Sequence, residues 1–281
     1  MERIDEYIRK AKTLPPAPKI LPQLMPLLKQ TDVDSAKVVE LISFDAGLTA
    51  KILTVCNSAS QAGGQPVSNL HEALLRTGFA EVFRIVAKVV GEQTLGSAQT
   101  GYGLGKNELS EHSAVVAVAA RIVATDRGLD PNVAFTAGLL HDVGKLVLTQ
   151  ALEGSYERLV EETEKNQQAL VEAEKTVLGV DHAEVGGRLL SQWAFPKPLV
   201  DAVSWHHDPI KSTENAPLAA CIYLANMIAA FTGHSFGHQA FAIRGRGEAL
   251  QILGLQGDEL PMYMIKTVDE FAKVSLLAAA A

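Results

Sequence analysis

The sequence predicts an all-α fold. Three observations carry this. Strand signals are nearly absent, with no Asn-Gly or Asp-Gly hairpin turn in 281 residues. Apolar residues recur at three- and four-residue spacing. Capping residues, prolines and glycines punctuate the chain at helix lengths. Met1 to Lys12 reads as a charged amphipathic helix. Leu14-Pro15-Pro16-Ala17-Pro18 breaks it, because a residue before proline is pushed away from helical angles. Pro18 to Gln30 follows, with Leu21, Leu24, Leu27 and Leu28 to one side. Asp34 or Ser35 caps a helix to Phe44, and Gly47 to Ser58 forms another. Ser60 to Ser68 holds two glycines and a proline and reads as a loop. Asn69 to Arg76 and Phe79 to Gly91 are helices parted at Gly78.

Gly91 to Asn107 carries four further glycines and little apolar periodicity. It is the expected boundary between an N-terminal helical lobe, residues 1–105, and a helical bundle with C-terminal helices, residues 106–281. Asn107 is expected to cap a helix with Glu108 and Glu111 in its first turn, ending at Arg127-Gly128. Asp130-Pro131 pairs a cap with proline at the first helical position, opening a helix expected to reach Gln150. Asp181 and Glu184 make a capping-box pattern for a helix through Trp193. Pro196 to His206 is short. Asn215 to Phe231 is apolar on most sides and reads as central. Glu259 to Ala281 ends the chain as helix.

Composition narrows the function classes. Apolar residues are 47% and charged residues 20%, which excludes wholesale disorder. The net charge is −7 and no Lys/Arg run occurs, which argues against general binding to nucleic acid or anionic lipid. Cys56 and Cys221 stand far apart in helix-like apolar text, as expected of buried thiols in a reducing compartment. The N-terminus lacks a signal-peptide core, and no apolar stretch reaches ~18 residues, so a soluble, cytoplasmic protein without membrane association is expected.

Candidate chemistry lies in the histidines. Of eight, His112, His141, His182, His206 and His207 fall at helix positions after the glycine-rich segment. His71, His234 and His238 look unrelated to them. In Leu139-Leu140-His141-Asp142-Val143-Gly144-Lys145-Leu146, apolar residues flank three ionisable groups, and Lys145 lies one helical turn from His141. Burying them costs several kcal/mol unless they are paired or bound to a metal. A His-Asp dipeptide alone is cheap, since about 0.3 are expected by chance at this composition and a second stands at His207-Asp208. Five histidines and an aspartate spread over several helices carry more weight, because bundles build metal sites by projecting such groups inward. Imidazoles with one carboxylate suit iron, manganese, nickel or zinc rather than magnesium or calcium. A hydrogen-bonded core network without metal is the alternative.

These residues carry a resemblance. His112, then Leu140 to Lys145, then His182 within His182-Ala183-Glu184-Val185-Gly186-Gly187-Arg188, then His206-His207, are similar in order to the HD superfamily of metal-dependent phosphohydrolases and its HD-GYP branch, which hydrolyses cyclic dinucleotides. Upstream, Leu14-Pro15-Pro16-Ala17-Pro18, Asp45-Ala46-Gly47-Leu48-Thr49-Ala50-Lys51, Cys56-Asn57-Ser58 and Leu70-His71-Glu72-Ala73-Leu74-Leu75-Arg76-Thr77-Gly78 resemble the HDOD family of bacterial signalling proteins. The resemblance covers about residues 13–235.

The resemblance implies a helical lobe packed on an HD-like bundle and a signalling context. It also implies a mononuclear or dinuclear site for divalent or mixed-valence metal on His112, His141, Asp142, His182, His206 and His207, with Glu108 and Asn226 as weaker ligands. The sequence departs from the HD pattern in two places. Asn226 stands where a late aspartate would bind metal, and Asp208-Pro209-Ile210-Lys211 takes the place of the Gly-Tyr-Pro loop. Two functions follow. One is an output or scaffold domain that meets other signalling proteins, or a nucleotide ligand, without efficient catalysis. The other is a metal-dependent cyclic-dinucleotide or nucleotide phosphodiesterase, in which Lys145 would offset charge on the phosphoryl oxygens.

Overall fold

The computed structural model describes residues 2–11, 14–15, 18–29, 33–43, 45–60, 67–236 and 247–279. Among these residues the fold is all-α, and the one extended pairing is an isolated bridge between Gln99 and Leu104. The N-terminal half holds α1 (Glu2–Lys10), α2 (Ile20–Leu24), α3 (Ser35–Ser43), α4 (Ala46–Ser60), α5 (Leu70–Thr77) and α6 (Phe79–Leu95). Caps start several of them. Asp34 accepts from the Ala36 and Lys37 amides, Asp45 from Leu48, and Asn69 from Glu72. The expected Ser60–Ser68 loop lies mostly outside the described residues.

Two expectations change here. The helix from Pro18 to Gln30 is only Ile20–Leu24, followed by a 3-10 turn over Met25–Lys29. Pro22 and Pro26 lack the N–H that a continuous α-helix would use. Helix α6 does not stop at Gly91 but continues to Leu95. Gly91 is a contact glycine instead: a Cβ there would stand 2.8 Å from the Leu139 side chain. The glycine-rich segment packs against α9. The Gly101 amide donates to Thr149 Oγ1 at 3.0 Å, and Tyr102 is buried.

The second half holds α7 (Glu108–Asp126), α8 (Pro131–Leu140), α9 (Lys145–Leu152), α10 (Tyr156–Val160), α11 (Leu170–Leu178), α12 (His182–Gln192), α13 (Lys197–Ser204), α14 (Ala216–Phe231), α15 (Gly247–Leu253) and α16 (Leu260–Ala279). Helices α7 and α8 pack tightly, since Gly138 lies where a Cβ would press on the Ala117 backbone. Helix α14 is buried from Leu218 to Asn226, as its apolar sequence predicts. Asp130 and Asp181 cap α8 and α12 through the amides of Asn132, Val133 and Glu184. Asn107 does not cap α7 with its side chain: it sits at φ +67°, and Glu108 takes the Gly105 amide instead. Helix α1 crosses to this half, where Tyr7 donates to the Leu178 carbonyl and Asp5 pairs with Arg188 at 2.7 Å.

The helix expected from Pro131 to Gln150 is broken at residues 141–144. Tight i→i+3 bonds run there from Val143 to the Leu140 carbonyl and from Lys145 to that of Asp142. Gly144 makes the break possible, because a Cβ on it would strike the His182 carbonyl.

Candidate metal centre

The broken turn between α8 and α9 presents His141, Asp142 and Lys145. Helix α7 supplies His112 from its second turn. Helix α12 supplies His182 as its first residue, and the turn after α13 supplies His206 and His207. All six expected ligands except His207, which is half-buried, are at most 2% exposed. Adjacent rings have centroids 4.0–5.5 Å apart: His112 by His141 at 5.2 Å, His141 by His206 at 5.0 Å, His182 by His206 at 5.5 Å, His182 by His207 at 4.9 Å and His206 by His207 at 4.0 Å.

Asp142 lies between them. Its Oδ2 is 3.4 Å from His141 Nε2 and 3.7 Å from His112 Nε2. Its Oδ1 is 3.1 Å from His182 Nε2 and 4.0 Å from His206 Nε2. Lys145 Nζ donates to Oδ2 at 2.6 Å. The tighter turn has therefore brought Lys145 onto Asp142 rather than onto the face of His141.

The outer ring nitrogens of His112, His141, His182 and His206 are occupied. Nδ1 of His112 bonds the His234 carbonyl, that of His141 the Gly138 carbonyl and that of His206 the Val203 carbonyl, each at 2.7 Å. Nδ1 of His182 instead meets the Glu174 carboxylate at 2.8–2.9 Å. A ring whose Nδ1–H is engaged outward turns a bare Nε2 lone pair inward, the tautomer used by metal-binding histidines.

Charge follows the same geometry. Burial alone would raise the Asp142 carboxyl. The nearby charges of His141 and Lys145 and the His182 ring beside it outweigh burial and hold the group well below the usual carboxylate range. Burial, with help from neighbouring imidazoles, pushes His112 down to about 4 and His206 and His207 well below the ordinary histidine value. Burial acts the same way on His182, but the Glu174 carboxylate outweighs it and lifts the ring to about 9.

The cluster fits a metal on its own chemistry. The Nε2 atoms of His112, His141 and His206 and the Oδ1 atom of Asp142 are buried with no well-directed hydrogen bond. Leaving such groups unpaired in an apolar core costs a few kcal/mol each. Two groups of ligand atoms each lie within 4.8 Å of one another: His112, His141 and Asp142, and His182, His206 and His207. Ions held by these two groups of residues would satisfy the inward lone pairs.

Two expected weak ligands stand differently. Glu108 accepts from the Gly105 amide of the loop before α7 at 2.8 Å and belongs to neither group. Asn226 is buried in α14 at 8% exposure. His234, expected to be unrelated, takes part through its carbonyl. His238 lies outside the described residues.

The sequence reading missed Glu174 and Tyr102. Glu174 is fully buried and accepts from the His182 amide at 2.9 Å, from its ring, and from the Tyr102 hydroxyl at 2.6 Å. A signal was present: Glu174 shares the buried stripe of α11 with Leu170, Ala173 and Leu178, a place where a carboxylate needs a partner.

The HDOD domain family model matches residues 14–209. An uncharacterised protein of Treponema pallidum is 26% identical over 245 residues, covering 82% of this chain and 43% of that protein. Ribonuclease Y of Thermus thermophilus is 36% identical over 117 residues, covering 42% of this chain and 16% of the enzyme. The chain thus spans less than half the length of either relative. An HDOD domain protein of unknown function from Geobacter sulfurreducens has a similar structure, with a TM-score of 0.71, 21% identity and coverage of 99% of this chain and 96% of that one.

Proposed function

This chain belongs to the HDOD domain family, and from that premise we propose that it is a signalling output module whose bundle carries a two-metal centre without efficient phosphodiester hydrolysis. One observation carries the reading: the buried Nε2 atoms of His112, His141 and His206 and one Asp142 oxygen converge without hydrogen-bond partners. His112, His141 and Asp142 would hold one ion, and His182, His206 and His207 the other. A divalent ion there supplies Lewis-acid polarisation of a phosphoryl or water oxygen.

The remaining residues favour output over turnover. Lys145 is 2% exposed and bonded to Asp142, so its ammonium is committed inside the cluster rather than offered to a phosphoryl group. Asn226 brings no charge. The ligand rings are sealed from solvent, except that His207 is half-buried. On this reading residues 1–105 form the lobe that meets other signalling proteins in the cytoplasm, and residues 106–281 form the metal-bearing bundle. No helix among the described residues is long and apolar enough to cross a membrane.

A metal-dependent phosphohydrolase is the second reading, favoured by the partial match to ribonuclease Y. Elemental analysis of protein purified without chelators tests the centre, with two ions per chain expected. Assays on cyclic dinucleotides with iron, manganese and nickel in turn, beside Asn226→Asp, test the chemistry. Absent or weak turnover by the native chain is expected. Robust turnover selects the phosphohydrolase.

A further inference from the structure

The centre is short of negative charge by its inner groups alone. Lys145 sits 2.6 Å from Asp142 and cancels the one carboxylate that faces the imidazoles. Asn226 contributes none. Two divalent cations held by neutral imidazoles and a cancelled aspartate would leave a large uncompensated positive charge in a low-dielectric core.

Glu174 lies one atom layer further out. It is fully buried, and both its oxygens are oriented by donors: Tyr102 on Oε1, the His182 amide on Oε2 and the His182 ring on both. The three other rings whose Nδ1 partners are described lean on neutral carbonyls. His182 alone among these leans on a carboxylate, and its Nε2 reaches both Asp142 Oδ1 at 3.1 Å and His207 Nε2 at 3.0 Å. It therefore stands where the two ligand groups meet. A carboxylate behind a metal-binding imidazole fixes the ring and raises its basicity.

Resting on the two-metal reading, we infer that Glu174 is a positioning residue of the centre, supplying through His182 the negative charge that retains the ion on His182, His206 and His207. Tyr102 locks the carboxylate in place from the glycine-rich segment that follows α6. The N-terminal half is thereby joined to the metal site through a chain of hydrogen bonds, Tyr102 to Glu174 to His182.

The test is a cobalt(II) titration of the full metal-stripped chain, followed by visible absorption and by elemental analysis after dialysis, with thermal melts of each metal-free protein. Glu174→Gln removes the charge, while an amide of the same shape can accept the His182 bonds through its oxygen and donate to Tyr102. The native chain should take two cobalt ions. Glu174→Gln should keep the first and bind the second about 10–100-fold more weakly, with altered absorption bands for that ion only. Tyr102→Phe should weaken the second ion by a smaller factor. A Glu174→Gln chain that binds both ions like the native one overturns the inference and leaves the two-metal reading standing. A native chain that takes no cobalt overturns that reading and the inference with it. If Glu174→Gln does not fold, Tyr102→Phe decides, and unchanged affinity and bands in that variant overturn the inference.

Discussion

Gly144 has no room for a side chain. A Cβ on it would meet the His182 carbonyl and the Gly186 amide, so the turn bearing His141 and Asp142 is pressed onto the start of α12. Gly144→Ala is expected to cost about 1–3 kcal/mol through overpacking and to separate the two ligand groups. A lowered melting temperature with reduced metal content would show it. The titration of the rings sets a second expectation at this scale, for metal-free protein. His112, at about 4, and His206 and His207, well below the ordinary 6.5, are depressed in the fold. Groups of this sign give stability that is complete above the unfolded value and is lost as pH falls through the folded one. His182, raised to about 9, has the opposite sign and loses its contribution as pH rises through that value. The melting temperature of the metal-free chain should therefore fall steadily from pH 6.5 to pH 4, and calorimetry across that range checks it. Cys221 is fully buried and its thiol is pushed up to about 12 by burial, and Cys56 is buried and raised as well. A thiol reagent at pH 8 should label neither in the native state and both after denaturation.

The helices begin where short polar side chains can take orphan amides. Asp130 accepts two of them at the head of α8, and proline at the next position is already set for the helix. Asp130→Ala should cost about 1 kcal/mol, readable in urea unfolding as a lower midpoint at unchanged slope. The element that departs most from periodicity is the one that matters most for the site. A regular helix through residues 141–144 would leave Asp142 and Lys145 about 60° apart around its axis, whereas i and i+3 eclipse in a tighter 3-10 turn. The tight turn joins them and leaves His141 Nδ1 on the Gly138 carbonyl. At the other end of α7, the Tyr263 hydroxyl donates to Asp126, and Arg127 reaches Glu259 at 2.8 Å, which anchors α16 on the bundle.

Across the whole molecule, the proposed metal centre would act as a cross-link. Its candidate ligands come from α7, the α8–α9 turn, α12 and the turn after α13, elements up to 95 residues apart in sequence, from His112 to His207. A ligand that binds only the folded chain stabilises it by about 4 kcal/mol at a thousand times its dissociation constant. Chelation should thus lower the melting temperature by several degrees, and readdition of metal should restore it. A melting temperature indifferent to chelator and metal would count against the two-metal centre. Helix α1 adds a second long-range tie, since it belongs to the first residues of the chain yet rests on α12 through Asp5 and Arg188.

The all-α fold, most helix starts, the packed apolar helix α14 and the histidines that cluster around Asp142 were legible in the sequence. Capping, proline geometry and apolar periodicity act within a turn or two of chain, so short stretches reveal them. The tertiary structure decided what depends on contact between distant segments. Gly91 and Gly144 read as punctuation until Leu139 and His182 are seen against them. Glu108, one turn from His112, was a reasonable ligand by spacing, but it accepts from the Gly105 amide of the loop before α7. Glu174 and Tyr102 are 72 residues apart, and neither signals metal chemistry alone. Burial makes their bond and their charge matter, and burial is a property of the packed molecule rather than of any segment.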